Sequence, residues 1–487
     1  MKRRVLPYLT ILLLLFALFS FGLSFCILQV KASGTIYIRA NGSIDPHTAL
    51  ISSLDNETYT FTGNIDDSIV VERNNIVVDG AGYTVQGTRS YMSKGIYLNG
   101  ARNVTIQNVT IKEFDFGIYL YKSSGYNCIV GNNITSNWVG IVLDFSSINK
   151  ISGNNITEND FDGMWLETSS NYNIIVENNI TANKGHGIWL SGYSNHNSIS
   201  GNNITSNKYL GIFLVSSSYN NIVGNNIRAN KLDGIWPNGF SNNNSISENN
   251  ITENHNGIYI YGSSNNNVNE NNITENNGDG ISLESSSKNN ISGNSVTENK
   301  GNGIYFYDSP NNNIDRNNVT NNAFSGITLI RSSFNNVSRS NIANSWIGII
   351  FESSSNNNMV GNKITASEWS GIWLNSSSNN CIYQNDFVGN TRQVYDPSWD
   401  HPEKPFSINT WDDGYPCGGN YWSDYEQRYP NATEMDDSDI WDTPYVIDSN
   451  NIDNYPIVPE FPSFLILPLF MIATLLAVIA YRKKKSC

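Results

Sequence analysis

A glycine followed by an apolar residue returns thirteen times, at Gly95, Gly117, Gly140, Gly163, Gly187, Gly211, Gly234, Gly257, Gly280, Gly303, Gly326, Gly348 and Gly371. Successive gaps are 22 to 24 residues, mostly 23. A period in that range belongs to stacked repeats, in which each unit buries its apolar face only against its neighbours. It also constrains function, because every repeat projects equivalent positions onto equivalent faces.

The repeat GIFLVSSSYNNIVGNNIRAN from Gly211 shows what one unit does. Ile212 and Leu214 alternate with Phe213 and Val215, so one pair faces in and the other out. A polar turn follows at Ser216 to Ser218, then short strands around Ile222 and Ile227. No segment holds helical apolar spacing over three turns, and Asn, Ser and Gly punctuation favours strand and turn. Three short strands per repeat predict an all-β chain: a right-handed parallel β-helix of about 13 coils, closed by caps at both ends. Strand spacing of about 4.8 Å makes this a rod of roughly 60 Å. The first Asn of the recurring N-N-I-T phrase shares the inward parity of its Ile. Asn132, Asn154, Asn178, Asn202, Asn225, Asn249, Asn271, Asn294, Asn317 and Asn362 therefore predict an amide ladder, with Gln107 and Ser340 as polar interruptions. The second Asn of the phrase points outward and forms Asn-x-Thr sequons, as at Asn203 and Asn250.

The coils from Gly95 to about Gln393 resemble the NosD-like right-handed parallel β-helix repeat family. The closing phrases WDDGYPCGGNYWSDY (Trp411 to Tyr425) and DTPYVIDSNNIDNYP (Asp442 to Pro456) are similar to the closing segment of that family and are more specific than the repeat. The family name implies maturation of a copper enzyme.

The organisation expected is a secretory signal over 1–32, an N-terminal cap with incomplete first coils over 33–94, repeats over 95–393 and a cap over 394–458. Residues 459–487 carry Pro459, Glu460 and Phe461, an apolar span and the basic tail Arg482 to Lys485. That order resembles an archaeosortase sorting signal and implies a processing enzyme that exchanges the span for a lipid anchor; a plain membrane anchor is the other reading. Both place the chain on the outer cell surface. Formal net charge is −14, which leaves no basic patch to neutralise phosphates and argues against nucleic acid. Five cysteines are too few for a disulfide framework. Cys381 and Cys417 both lie near the C-terminal end, and the sequence leaves their pairing open.

Two residues after each glycine an outward column reads Tyr97, Tyr119, Val142, Trp165, Trp189, Phe213, Trp236, Tyr259, Ser282, Tyr305, Thr328, Ile350, Trp373. Aromatic rings in a row on a wet face suit the apolar faces of sugars and mark Trp165, Trp189, Phe213, Trp236 and Tyr259 as ligand-binding candidates. Packing along a parallel sheet explains the same pattern. Two positions further, Asp144 and Glu167 fall on adjacent coils, as an acid and nucleophile for glycoside cleavage would; a solvated acidic edge is the alternative. Glu284 with Asp279 and Asp308 is a weaker duplicate. Polysaccharide lyases of this fold combine acids with an Arg or Lys base, and neither outward column holds one. Asp437, Asp439 and Asp442 form a candidate calcium run, with Ser438 and Trp441 where glycine would ease a calcium loop. The five His are scattered, which argues against copper.

The leading expectation is a non-catalytic surface protein that binds a polysaccharide or surface glycan, or builds the envelope. A glycan-processing enzyme, hydrolase more than lyase, is the alternative. An accessory factor for an exported metalloenzyme is the third reading, carried by the family resemblance.

Overall fold

Each coil contributes one strand to each of three parallel sheets. In the coil from Gly211 these are Ile212–Val215, Asn221–Val223 and Asn226–Arg228, and each pairs in register with its equivalent one coil away. The computed structural model describes residues 34–436 and 438–458. Within it the chain from Ile36 onward is one unit, and Met1–Thr35 is another, of which only Gly34 and Thr35 are described.

The repeated glycine has a steric cause. A Cβ on Gly211 would lie 2.5 Å from the Gly234 carbonyl oxygen and 2.6 Å from Ile227 Cγ2, and one on Gly163 would meet Gly187 and Ile180 as closely. Only glycine lets the first-sheet strand enter so near the next coil and the third-sheet Ile.

The interior is a column of side chains with no solvent exposure, Ile212, Leu214, Ile222 and Ile227 in this coil. The expected Asn ladder is present: Asn225 donates through its backbone N and Nδ2 to Asn249 Oδ1 at 2.9 and 3.0 Å, and through Nδ2 to the Ile199 carbonyl at 2.9 Å. Two further Asn ladders and a Ser ladder accompany it, through Asn220 to Asn244, Asn230 to Asn254 and Ser217 to Ser241. In this coil the inward turn positions thus hand their polar groups to the next coil, which satisfies the buried backbone. Ser340 interrupts the first ladder as expected, accepting from Asn317 N at 3.2 Å. Gln107 does not. Register places Ile111 opposite Ile134, so Val109 holds the ladder position and Gln107 lies opposite Val130, half-buried.

The stack has about 15 turns rather than 13, since the third sheet alone contains 15 strands. The N-terminal segments read as incomplete are regular members of the sheets: Ile69–Val71 pairs with Lys94–Asn99, and Ile76–Asp79 with Val104–Gln107. At the other end Tyr421–Trp422 extends the third sheet. Antiparallel pairs, Ile36–Ile38 with Ile44–Asp45 and Ile51–Ser52 with Thr58–Phe61, close the N-terminal end. Trp422 closes the C-terminal end, stacked on Phe387 at 4.5 Å and Tyr445 at 4.3 Å, with Trp411 and Tyr425 also buried. Tyr421 alternates outward from that seal and is half-buried. Cys128, Cys381 and Cys417 are free thiols, so the pair left open by the sequence is not formed.

The proposed signal, Pro459, Glu460, Phe461, the apolar span and Asp437 lie outside the described residues. Among the described residues no helix is long and apolar enough to cross a membrane.

Candidate functional site

Trp165, Trp189, Phe213 and Trp236 occupy successive register positions on the first sheet. Their ring centroids lie 5.3, 5.9 and 5.3 Å apart, and Tyr259 continues the row 5.2 Å from Trp236. The row is half-buried rather than wet. The turn that enters each first-sheet strand carries a second set of rings, because Phe161 N donates to the Trp138 carbonyl and holds the two turns in line. Trp138 stacks on Phe161 at 5.4 Å and meets Trp165 edge-on at 5.3 Å, while the His186 ring packs 5.1 Å from Phe213. Val142 is fully buried with Phe116 and Val139 in a small apolar cluster on this outer side of the sheet. Strand parity predicts which way a side chain leaves the sheet, and says nothing of a turn that folds over it.

The rings still offer faces. Trp165 and Trp189 are nearly perpendicular, at 84°. In an edge-to-face pair the ring that contributes its edge keeps its own face free of that neighbour, whereas Trp189 and Phe213, at 28°, are stacked. The indole Nε1 groups of Trp189, Trp236 and Trp373 are buried with no acceptor among the described residues.

Asp144 and Glu167 are brought together as register partners on adjacent strands. Tyr119 donates its hydroxyl to Asp144 Oδ2 at 3.0 Å, and Asp144 Oδ1 is buried without a partner. Burial, and then the Asp144 charge, raise the Glu167 pKa. Tyr259 and Glu284 repeat the tyrosine-to-carboxylate bond at 2.6 Å. Asp308 does not join that second group, since Arg331 clamps it through two bonds of 2.6 and 2.5 Å and lowers its pKa.

Three further groups on this face escape a reading of the outward columns. Asp162 is fully buried beneath the rings and accepts from the Trp165 indole and from His186 N. Burial pushes its pKa up to about 7 against the pull of these two donors. Half-buried His186 accepts from Leu210 N at 3.2 Å, and burial pushes its pKa down to about 4. Lys94 lies over Tyr97 and Tyr119, 5.1 and 5.2 Å from their ring centroids, with its pKa lowered by burial. Asp162 and His186 directly precede Gly163 and Gly187. A column read at that offset, holding Asp162, Asp233 and Asp279, is the signal that finds this class of position.

The corner between the first and second sheets holds a separate ring column. His196 is stacked between Tyr172 at 4.9 Å and Tyr219 at 5.0 Å, within 9° of parallel. These rings cover one another's faces and present edges to solvent.

In the C-terminal loop Asp442 accepts from Thr433 N, Thr433 Oγ1 and Thr443 Oγ1 at 3.0, 2.7 and 2.8 Å, and these bonds lower its pKa. Asp439 uses its backbone N toward Glu434 Oε1 at 3.0 Å. The loop is tied by its own side chains, and among the described residues no three His, Cys, Asp or Glu converge.

Residues 74–227 match the model of the right-handed β-helix region, and residues 242–427 match that of NosD, the periplasmic copper-binding protein. No curated protein matches the chain. Similar solved structures include the periplasmic alginate epimerase AlgG, at 14% identity and TM-score 0.37 over 71% of this chain and 80% of that one. The A-module of mannuronan C-5 epimerase AlgE4 from Azotobacter vinelandii is 13% identical, with TM-score 0.42 over 66% and 91%. DFA-IIIase from Arthrobacter chlorophenolicus A6 is 12% identical, with TM-score 0.41 over 53% and 81%. Likeness at this level carries no argument about activity.

The copper in the family's description does not fit the residues present. His186 spends its Nδ1 on Leu210 N, and His196 is sandwiched between two tyrosines at the far corner. His255 pairs with Asp233 and His401 with Glu403, on separate coils and with no third ligand among the described residues. The NosD match nonetheless runs from the coils into the closing phrase Trp411 to Tyr425. On the two matches, over residues 74–227 and 242–427, the chain belongs to the NosD-like right-handed β-helix repeat family.

Proposed function

We propose that this is an exported protein that binds an extended polysaccharide or surface glycan along the outward side of its first sheet, without cleaving it. The observation that carries the reading is the unbroken row from Trp165 to Tyr259, with the turn rings beside it. Its rise of about 4.8 Å per coil is similar to the length of one extended pyranose. Rings that cross at an angle, as Trp165 and Trp189 do, present apolar surface for sugar C–H groups. The ends complete the proposal: a signal over 1–32, and Pro459, Glu460 and Phe461 before an apolar span, for export and anchoring by the membrane or by a lipid that an archaeosortase-like enzyme attaches. A calcium ion at Asp437, Asp439 and Asp442 is not needed by this reading.

The test is affinity of the full chain for a panel of immobilised polysaccharides, wild type against the Trp165→Ala, Trp189→Ala double variant. Losing both platforms weakens binding on the order of tenfold or more, about 1.4 kcal/mol per factor of ten. Unchanged affinity would mean that the rings only pack, and absence of any glycan ligand would end the reading.

A hydrolase is the second reading, favoured by one observation: Glu167 is raised beside Asp144, as a general acid beside a carboxylate would be. Adjacent-strand spacing of about 4.8 Å is also near the about 5–5.5 Å of retaining pairs. Product analysis on every bound polymer, with Asp144→Asn and Glu167→Gln as controls, decides it. Cleavage lost in those variants would replace the binding assignment with an enzyme.

A further inference from the structure

At the C-terminal end of the aromatic face, a cavity of about 280 Å³ lies between the last coil and the closing segment. A space of this size admits one sugar ring. Arg392, Gln393, Trp399, Asp424, Arg428 and Tyr445 line it. An aromatic path leads in, through Trp346 and Trp369 at 5.8 Å, Trp369 and Tyr395 at 4.5 Å, and Tyr395 and Trp399 at 5.9 Å.

The charge of the lining opposes that of the chain. The whole sequence carries −14, yet this wall sets two guanidinium groups against one carboxylate. Asp424 is already engaged: it accepts from the Tyr445 hydroxyl at 3.0 Å and from Gln393 Nε2 at 3.2 Å, and lies 3.7 Å from Arg428 Nη1. Arg428 rests over the Tyr445 ring at 4.4 Å and donates Nη2 to the Val446 carbonyl at 3.1 Å. Arg392 is different. Its guanidinium lies 5.4 Å from both the Trp369 and Tyr395 rings, and its side chain makes no hydrogen bond or ion pair among the described residues. An arginine held against ring faces keeps its N–H edge for an anion, and a carboxylate matches that fork with two parallel bonds.

We propose that this cavity binds the carboxylate-bearing unit of an acidic polysaccharide, a uronate, with Arg392 on the carboxylate and Trp399 against the sugar ring. Among the lining residues one positive charge is in surplus, as a monoanion needs, while Asp400 and Asp448 are engaged by the Tyr395 hydroxyl and the Trp399 indole; the aromatic path identifies the rest of the ligand as a sugar rather than a free inorganic anion. The inference rests on the glycan reading for its ligand class and adds the charge of that glycan and the place where one unit is held.

The experiment is calorimetric titration of the full chain with an oligogalacturonate and with a neutral oligosaccharide of equal length. It compares wild type, Arg392→Gln and the Trp165→Ala, Trp189→Ala double variant. Arg392 is exposed, so its replacement leaves the coils intact, checked by an unchanged circular dichroism spectrum. The acidic oligomer binds wild type more tightly than the neutral one. Arg392→Gln weakens it tenfold or more without changing the neutral one. Equal binding of the acidic oligomer to wild type and Arg392→Gln overturns the proposal, and so does equal preference for acidic and neutral ligands. Neutral oligomers held through the tryptophan pair would then leave the glycan reading standing. Acidic binding that needs Arg392 and ignores the tryptophan pair would keep the cavity and remove the aromatic face.

Discussion

The third sheet repeats nearly unchanged from coil to coil, whereas the outward side of the first sheet varies at almost every step. In the third sheet the phrase Asn-Ile-Thr recurs at Asn133–Thr135, Asn155–Thr157, Asn179–Thr181 and Asn203–Thr205. Over the same coils the first sheet presents Tyr119, Val142, Trp165 and Trp189 outward, with Asp144, Glu167, Asp162 and His186 among them. Uniformity follows from the ladders, since each Asn must find an Asn above and below. The first sheet's outer side is freed from that demand, because its coil-to-coil bonds are made by backbone. Chemistry accumulates where the repeat tolerates change, and the pair formed by Asp162 and His186 is where a uniform coil gives way to buried titratable groups.

Replacing a ladder amide tests the uniform part and has the largest expected effect. Asn202 Oδ1 accepts from Asn178 N and Nδ2, each at 3.0 Å, and its Nδ2 donates to the Ile175 and Ser200 carbonyls and to Asn225 Oδ1. Asn202→Ala leaves the Asn178 backbone N buried without a partner, and takes one bond each from Asn178 Nδ2, which keeps the Ile151 and Val176 carbonyls, and from the Ile175, Ser200 and Asn225 oxygens. At about 1–3 kcal/mol for the orphaned amide and about 0.5–1.5 kcal/mol for each further buried bond lost, less what water recovers, the loss is roughly 3–5 kcal/mol. Urea unfolding measures it. Because a solenoid couples mainly to nearest neighbours, hydrogen exchange should accelerate first in the coils of Asn178 and Asn225. A shift below about 1 kcal/mol would mean that the ladder is not what fixes the coil.

The variable part is tested by pH. Asp162 keeps its proton in the fold to about pH 7, against an ordinary value of 3.8. The folded chain then binds more protons than the unfolded one between those values, so this residue's contribution declines as pH rises from about 4 to about 7. Asp162→Asn removes the titration, and the wild type should lose roughly 2–4 kcal/mol relative to the variant across that window. His186, whose folded value is lowered to about 4, acts in the opposite sense over pH 4 to 6.5, but it is present in both proteins and cancels in the difference. Urea midpoints at steps from pH 4 to 8 supply the measurement; parallel curves would show that Asp162 is charged throughout.

The interior was legible because a strict period and strand parity place Ile212, Leu214, Ile222, Ile227 and the Asn225 ladder without reference to any contact. The other ladders carry the same period, at Asn220, Asn230 and Ser217, but Asn and Ser also compose exposed turns, so composition alone reads them as loop. Gln107 misleads for a local reason: the coil of Ile106 and Ile111 lacks the N-N-I-T phrase and puts Val109 in the ladder place. The half-burial of Trp165 and the full burial of Val142 depend on how the turns of Trp138 and Phe161 lie over the sheet, a tertiary fact invisible to parity. The cavity beside Arg392 joins residues from the last coil and the closing segment, whose approach no repeat pattern encodes.

The sharpest form of the comparison places the same residue type one position apart. Asn203, next to Asn202, belongs to an outer ladder, donating Nδ2 to Asn179 Oδ1 at 2.8 Å and accepting from Asn226 Nδ2 at 2.8 Å. Water can replace both bonds on this half-buried surface, so Asn203→Ala should cost no more than about 0.5–1 kcal/mol, against several for Asn202→Ala. Asn203 also heads a sequon, and its Nδ2 is the atom a glycan would take. The ladder competes for that atom only weakly if the small cost is right, which leaves crowding at about 4.8 Å between coils as the limit on modification. Urea midpoints of the two single variants, measured side by side, decide it. Equal losses would mean that the outer amides fix the coils as firmly as the inner ones, and that burial does not separate the two ladders.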